Sequence, residues 1–102
     1  MVINGVEFPE GPIAEFCQRH GVRRLSVFGS ILRDDFGPES DIDVLVEFLP
    51  GRTPGMIGFG GMILELQGII GGGRRVDLRT PNDLSRYFRR DVVGRSRTLH
   101  AA

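Results

Sequence analysis

Two stretches of dense apolar residues, Val22, Leu25, Val27 and Phe28, then Ile42, Val44, Leu45, Val46 and Phe48, read as strands over residues 22–28 and 42–48. Between them the pattern breaks into Gly29-Ser30, a helical turn over residues 30–35 and a loop of Gly37-Pro38-Glu39-Ser40. Upstream, Pro12, Ile13, Phe16 and Cys17, with Gly21 behind His20, predict a short amphipathic helix with Pro at its start and Gly at its end. His20 there reads as a capping residue, not a catalyst. Residues 50–55 are loop by composition, and the apolar residues of 56–70 suggest a helix. Gly58, Gly60 and Gly61 each cost that helix about 1 kcal/mol relative to Ala. Either it begins near Met62, or close backbone packing requires the glycines. The run Gly71-Gly72-Gly73 ends it, and residues 74–80 form a third short strand. Thr80-Pro81-Asn82-Asp83 then resembles a capping box, followed by Leu84, Tyr87, Phe88 and Val92 at helical spacing. That spacing makes Tyr87 a core or interface residue. The last four residues carry no readable pattern.

These elements predict an α/β (α+β) chain, one small mixed β-sheet with helices mainly on one face and a polar face left open. The chemistry gathers at residues 25–48. The missing Cβ of Gly29 lets a ligand approach the backbone, and Ser30 can cap the helical turn, which makes Gly29-Ser30 a seat for phosphate. After a ten-residue spacer comes Asp41-Ile42-Asp43. Alternation along a strand sends both carboxylates to one face and Ile42, Val44, Val46 and Phe48 to the other. Two carboxylates so close repel unless a proton or cation lies between them, and hard oxygen ligands favour Mg²⁺ or Mn²⁺. An isolated Asp-x-Asp is more often a solvated strand edge. Gly-Ser closing one strand and Asp-x-Asp opening the next is more specific, because it places a phosphate seat beside a metal seat.

Gly29-Ser30-x-x-Arg33-x-Asp35, Pro38 and Ser40-Asp41-Ile42-Asp43-Val44-Leu45-Val46-Glu47-Phe48 resemble the minimal nucleotidyltransferases of the DNA polymerase beta-like superfamily. Asp34 departs from that pattern, standing where a small residue, usually Gly, is common. The resemblance implies the polymerase beta-like fold and a helical C-terminal tail at about 81–102. It implies Asp41 and Asp43 as ligands of two Mg²⁺ ions, with Asp77, in its Val-Asp-Leu setting, as the third carboxylate. These three are the expected catalytic and metal-binding residues. Gly29, Ser30, Arg33 and Ser40 are the expected nucleotide-binding residues, with ATP as substrate. Arg33 has a second reading, a surface ion pair with Asp35. The resemblance further implies transfer of AMP to a tyrosine of a HEPN-domain ribonuclease toxin, with this chain as its antitoxin.

Composition alters this picture little. The 102 residues are ordinary in apolar and charged content and are expected to form a single domain, too small to carry a separate acceptor-binding domain. No apolar run is of spanning length and the N-terminus lacks an export pattern, so a cytoplasmic protein without membrane association is expected. The single Cys17 reads as a buried structural thiol. Net charge is zero, yet residues 1–50 hold nine acids and four arginines and residues 51–102 four acids and nine arginines. The basic half suits phosphates or an acidic protein partner. Two alternatives stand beside the enzyme: an antitoxin that neutralises its partner by binding alone, and a nucleotidyltransferase acting on nucleic acid. The second wants a basic stripe interleaved with exposed aromatics, which Tyr87 and Phe88 in the arginine-rich tail supply only weakly. Nucleic acid is not the expected partner.

Overall fold

A computed structural model of the chain describes residues 1–70 and 73–102. Four strands form the central sheet: β3 (Val22–Phe28), β4 (Ile42–Phe48), β5 (Val76–Arg79) and β6 (Arg97–Ala101), following a small hairpin of β1 (Val2–Ile3) and β2 (Val6–Glu7). Helices α1 (Glu10–His20), α2 (Met56–Ile69) and α3 (Arg89–Arg95) connect them. The sheet order is β5-β4-β3-β6, with β4 and β5 parallel and the other pairs antiparallel. It is the mixed sheet expected from the apolar pattern.

Alternation sorts the strands as predicted. Leu25, Val27, Ile42, Val44, Val46, Val76 and Leu78 join the core with Ile13, Phe16 and Cys17 of α1 and Met62 and Leu66 of α2. On the other face, Asp43 lies beside Phe28 of β3 and Asp77 of β5. Further along that face Ser26 and Leu45 are buried, and the 3-10 turn Pro81–Asp83 and α3 lie against β4 and β3. The α1–α2 layer therefore closes one face of the sheet. The C-terminal segment covers part of the other.

Four expectations change. Ser30 caps nothing: it lies inside a 3-10 turn, Gly29–Leu32, whose N-cap is Phe28. His20 does not cap α1; its ring packs against Phe16 and its Nε2 meets Glu65 Oε1 at 3.2 Å, tying α1 to α2 alongside Arg19. The cap is Gly21, at φ +65°, whose N–H donates to the Cys17 carbonyl. Helix α2 begins at Met56, not near Met62; close packing within the chain accounts for Gly58, where a Cβ would stand 3.2 Å from the Pro54 Cβ, but not for Gly60, Gly61 or Gly68, where it would meet no atom within 4 Å. The expected stop at Gly71-Gly72 lies outside the described residues.

The fourth change is the tail. Residues 81–102 are not one helix but a 3-10 turn, a two-turn α3 and strand β6, which pairs with β3. The capping interaction is present, the Asp83 carboxylate accepting from the Thr80 N–H at 2.9 Å, but the helix it starts stops within one turn. Arg89 then donates to the carbonyls of Pro81 (2.7 Å) and Leu84 (3.2 Å). This fixes the break, and the apolar stripe does not form. Tyr87 and Phe88 are 78% and 65% exposed, so Tyr87 is no core residue.

The hairpin β1–β2 adds an element to those expected. Asn4-Gly5, both at positive φ, is the strongest short-range signal for a two-residue hairpin. At Cys17, burial pushes the thiol up to about 11, so a thiol reagent at neutral pH should label the native protein far more slowly than the urea-unfolded chain. Fast labelling of the native protein would show that the α1 face opens.

Candidate active site

The site is built where β3 ends and β4 begins. Gly29 leaves β3 at φ +74°, a conformation glycine adopts without steric cost. Its backbone presses on Asp43: a Cβ at Gly29 would collide with Asp43 Oδ2 and stand 3.2 Å from Cγ. Any other residue there would displace the carboxylate. One strand over, the parallel register sets Asp77 beside Asp43, on the same face. Asp43 is half-buried, and its carboxyl is raised above the usual carboxylate range by burial first and then by Asp77, with a smaller push from Asp41, while Arg79 and Arg33 oppose the rise.

Asp41 is exposed, one residue ahead of β4. Asp77 accepts two bonds from Arg79, at 3.3 and 3.2 Å. Arg33 pairs with Asp35 at 3.1 Å on the surface, so the ion-pair reading holds in this state. Gly29 and Arg33 line one wall of a cleft of about 370 Å³, whose other wall is Asp91, Val92 and Arg95 of α3. Neither Asp91 nor Arg95 was anticipated, since only the folding of the tail onto the sheet brings them here. The fold thus unites Gly29, Asp43 and Asp77, keeps Asp41 within electrostatic reach and leaves Ser30 in the turn.

Ser40 is a loop builder in this structure, its hydroxyl accepting from the Gly37 N–H at 2.9 Å. Two residues distant in the chain pin the turn after Gly29 and the loop of Ser40. Asn4 at the hairpin tip donates to the carbonyls of Ile31 (3.1 Å) and Arg33 (3.0 Å), and so holds the turn after Gly29 from behind. Arg74, just ahead of the strand that carries Asp77, donates to the carbonyls of Gly37 (2.8 Å) and Ser40 (3.1 Å) and lies over the Phe36 ring. One arginine thereby ties the approach to Asp41 to the approach to Asp77.

As a donor set, Asp41, Asp43 and Asp77 fit a hard divalent cation: they are oxygen ligands near one another on the sheet, and burial together with repulsion from Asp77 and Asp41 already lifts Asp43. As the side chains stand, no three His, Cys, Asp or Glu groups among the described residues are arranged to hold an ion, and Asp77 is held by Arg79 instead. A cation held there would compete with that arginine for Asp77.

Comparison with known proteins decides the family. The model of the nucleotidyltransferase domain matches residues 13–99. The chain belongs to that family. A protein adenylyltransferase, MntA, of Thermococcus cleftensis is 33% identical over 79 residues, 78% of this chain and 76% of that one. A candidate protein adenylyltransferase of Methanocaldococcus jannaschii is 38% identical over 66 residues, 65% and 67% of the two chains. Among solved structures, a candidate minimal nucleotidyltransferase superposes with a TM-score of 0.68 at 33% identity, covering 85% of each chain. A toxin-antitoxin assembly with AMP-PNP gives 0.69 at 21% identity over 91% of this chain and 73% of that one, a likeness of fold alone. The fold is therefore that of the minimal nucleotidyltransferases, as the motif led one to expect.

Two outcomes are expected of this nucleotidyltransferase geometry. Because the raised Asp43 pKa means that the folded protein prefers the protonated acid, ionised Asp43 costs stability at neutral pH in the metal-free protein. Asp43→Asn should therefore raise the melting temperature at pH 7. The gain should shrink as pH falls through the raised Asp43 pKa toward the ordinary carboxylate range, and be gone below it, where Asp43 is neutral in folded and unfolded chains alike. A variant that unfolds would mean that Asp43 is structural. For the loop, Arg74→Met keeps the stem over Phe36 but removes both donors, at about 1–3 kcal/mol. Limited trypsin cleavage at Arg33 should accelerate, and Arg74→Lys should partly reverse it.

Proposed function

We propose that this chain transfers AMP from ATP to a hydroxyl of a partner protein and acts as the antitoxin of a toxin-antitoxin pair. The observation that carries this is the placement of Asp43 and Asp77 abreast on adjacent strands, with the Gly29 backbone against Asp43. Mg²⁺ or Mn²⁺ bound by Asp41, Asp43 and Asp77 would supply charge neutralisation at the reacting phosphate and the attacking oxygen. Gly29-Ser30 offers backbone to the terminal phosphates, and Arg33 and Arg95 on opposite walls of the cleft, released from their ion pairs with Asp35 and Asp91, offer them positive charge. Asp77, released from Arg79, takes the proton of the acceptor hydroxyl. A bond forms between that oxygen and the α-phosphorus as the α-phosphorus to bridging-oxygen bond breaks, and pyrophosphate leaves.

The acceptor docks, in this reading, beside exposed Tyr87 and Phe88 and the neighbouring Arg86 and Arg90. The MntA relative is named as a protein adenylyltransferase, and neighbours of the same fold are toxin-antitoxin assemblies, one with AMP-PNP and one of MntA with HepT. These names support a toxin as acceptor. With the sequence resemblance they favour a HEPN ribonuclease modified on tyrosine.

The test is intact-mass spectrometry of the neighbouring gene product after incubation with the protein, ATP and Mg²⁺. Addition of AMP is expected, and EDTA should prevent it. Asp41→Asn combined with Asp43→Asn should abolish both the mass increase and the protection of cells, while complex formation persists. Full protection by that double variant, with no mass added, would overturn the enzymatic reading in favour of neutralisation by binding.

A further inference from the structure

We propose that α2 is a self-association face on which a second copy of this chain packs its own α2, antiparallel and related by a two-fold axis. The inference is independent of the transfer reaction, because it concerns the side of the molecule away from the carboxylates.

Helix α2 is apolar all round, and such a helix belongs in an interior. Only one face is covered by this chain: Met62 and Leu66 are buried, whereas Ile57 is 93% exposed and Leu64 70% exposed. Ile57, Gly61, Leu64 and Gly68 recur at spacings of four, three and four, a single stripe directed away from the core. The helix carries one charge, Glu65, and that carboxylate is already engaged by Arg19 and His20. The exposed stripe itself has none.

The glycines point the same way. Each costs a helix about 1 kcal/mol relative to Ala. The fold of one chain does not require Gly61 or Gly68, since a Cβ at either meets only open space. Glycines on a helix surface let a second backbone approach closely. A reason for them outside the chain is therefore a close helix neighbour.

The order of large and small residues selects which neighbour. Reversing the stripe about its midpoint sets Ile57 opposite Gly68 and Leu64 opposite Gly61, so every large side chain meets a glycine notch. A parallel pair would put large against large and leave the notches facing each other. Self-complementarity on reversal is what a two-fold, isologous contact requires. An apolar groove of about 470 Å³ including Pro54, Met56, Phe59 and Ile63 flanks the stripe and extends the surface available to the second copy.

Sedimentation or light scattering across a concentration series should give a mass twice the 11.3 kDa of the chain. Gly61→Leu places its Cβ in open space and fills the notch, and should weaken the dimer at least tenfold while circular dichroism stays native. Leu64→Gly removes the facing knob and should weaken it similarly. Orientation is read by mixing Ile57→Cys protein with Gly68→Cys protein: an oxidised pair should form only in the mixture, Cys17 being buried. In either protein alone, the two copies of the new thiol would be about 16 Å apart along the helix axis, at 1.5 Å per residue. A monomer at every concentration would overturn the proposal, as would a dimer untouched by Gly61→Leu or cross-linking of either variant alone. So would a monomer whose α2 becomes protected only when a partner protein is added.

Discussion

The site depends on one close approach, the backbone of Gly29 against the carboxylate of Asp43. The register that sets Phe28 beside Asp43 brings the end of β3 onto the start of β4, and the positive φ of Gly29 turns the chain across that carboxylate instead of past it. The proposed phosphate seat and the proposed metal ligand are thereby made neighbours by backbone geometry alone. The arrangement is costly when empty. It partly buries an acid next to another acid, and the protein offsets this by pairing Asp77 with Arg79 and keeping Arg33 in range. The guanidinium of Arg79 acts as a counter-ion in the free protein, and a divalent cation would take over its role on Asp77. Sites of this kind spend folding stability on charge clustering that only the substrate complex relieves.

The features legible in the sequence are those that depend on residues near each other in the chain. Strands β3 and β4, the glycine between them and the two carboxylates on one face are given by alternation and turn chemistry within some twenty residues, and Asp77 came from the family resemblance. The features that escaped depend on distant pairing. Strand β6 exists because β3 has a free edge to pair with, and Arg24 of β3 also donates through Nε to the Thr98 hydroxyl of β6. Nothing within residues 97–101 announces that. The clamps on the loop are the same case: Asn4 reaches 27 and 29 residues along the chain, and Arg74 reaches 37 and 34. The tail failed for a different reason. Helical spacing of Leu84, Tyr87, Phe88 and Val92 outweighed the early stop after Pro81–Asp83, and that stop leaves the aromatic pair in solvent.

The uneven distribution of charge along the chain also acquires a physical sense. The acid-rich half supplies Asp41 and Asp43. The arginine-rich half supplies Arg74 to fix the loop, Arg79 to hold Asp77 and Arg95 to line the cleft. Folding the second half onto the first neutralises locally what the sequence separates. Part of the arginine content is therefore internal scaffolding, and the arginines that remain exposed, among them Arg86 and Arg90 near Tyr87 and Phe88, are left for a partner.

The sheet keeps the two proposed uses of the surface apart. Asp43 and Asp77 lie on one face, while α2 packs on the other through Met62 and Leu66, and its glycine-notched stripe points further away still. A second copy docked on that stripe would leave both clefts open and facing outward, so pairing through α2 would not compete with nucleotide entry. It would present two acceptor-binding surfaces on one particle. For a symmetric acceptor this is a physical gain without any new contact, since the second engagement becomes intramolecular and its strength is set by geometry, not concentration.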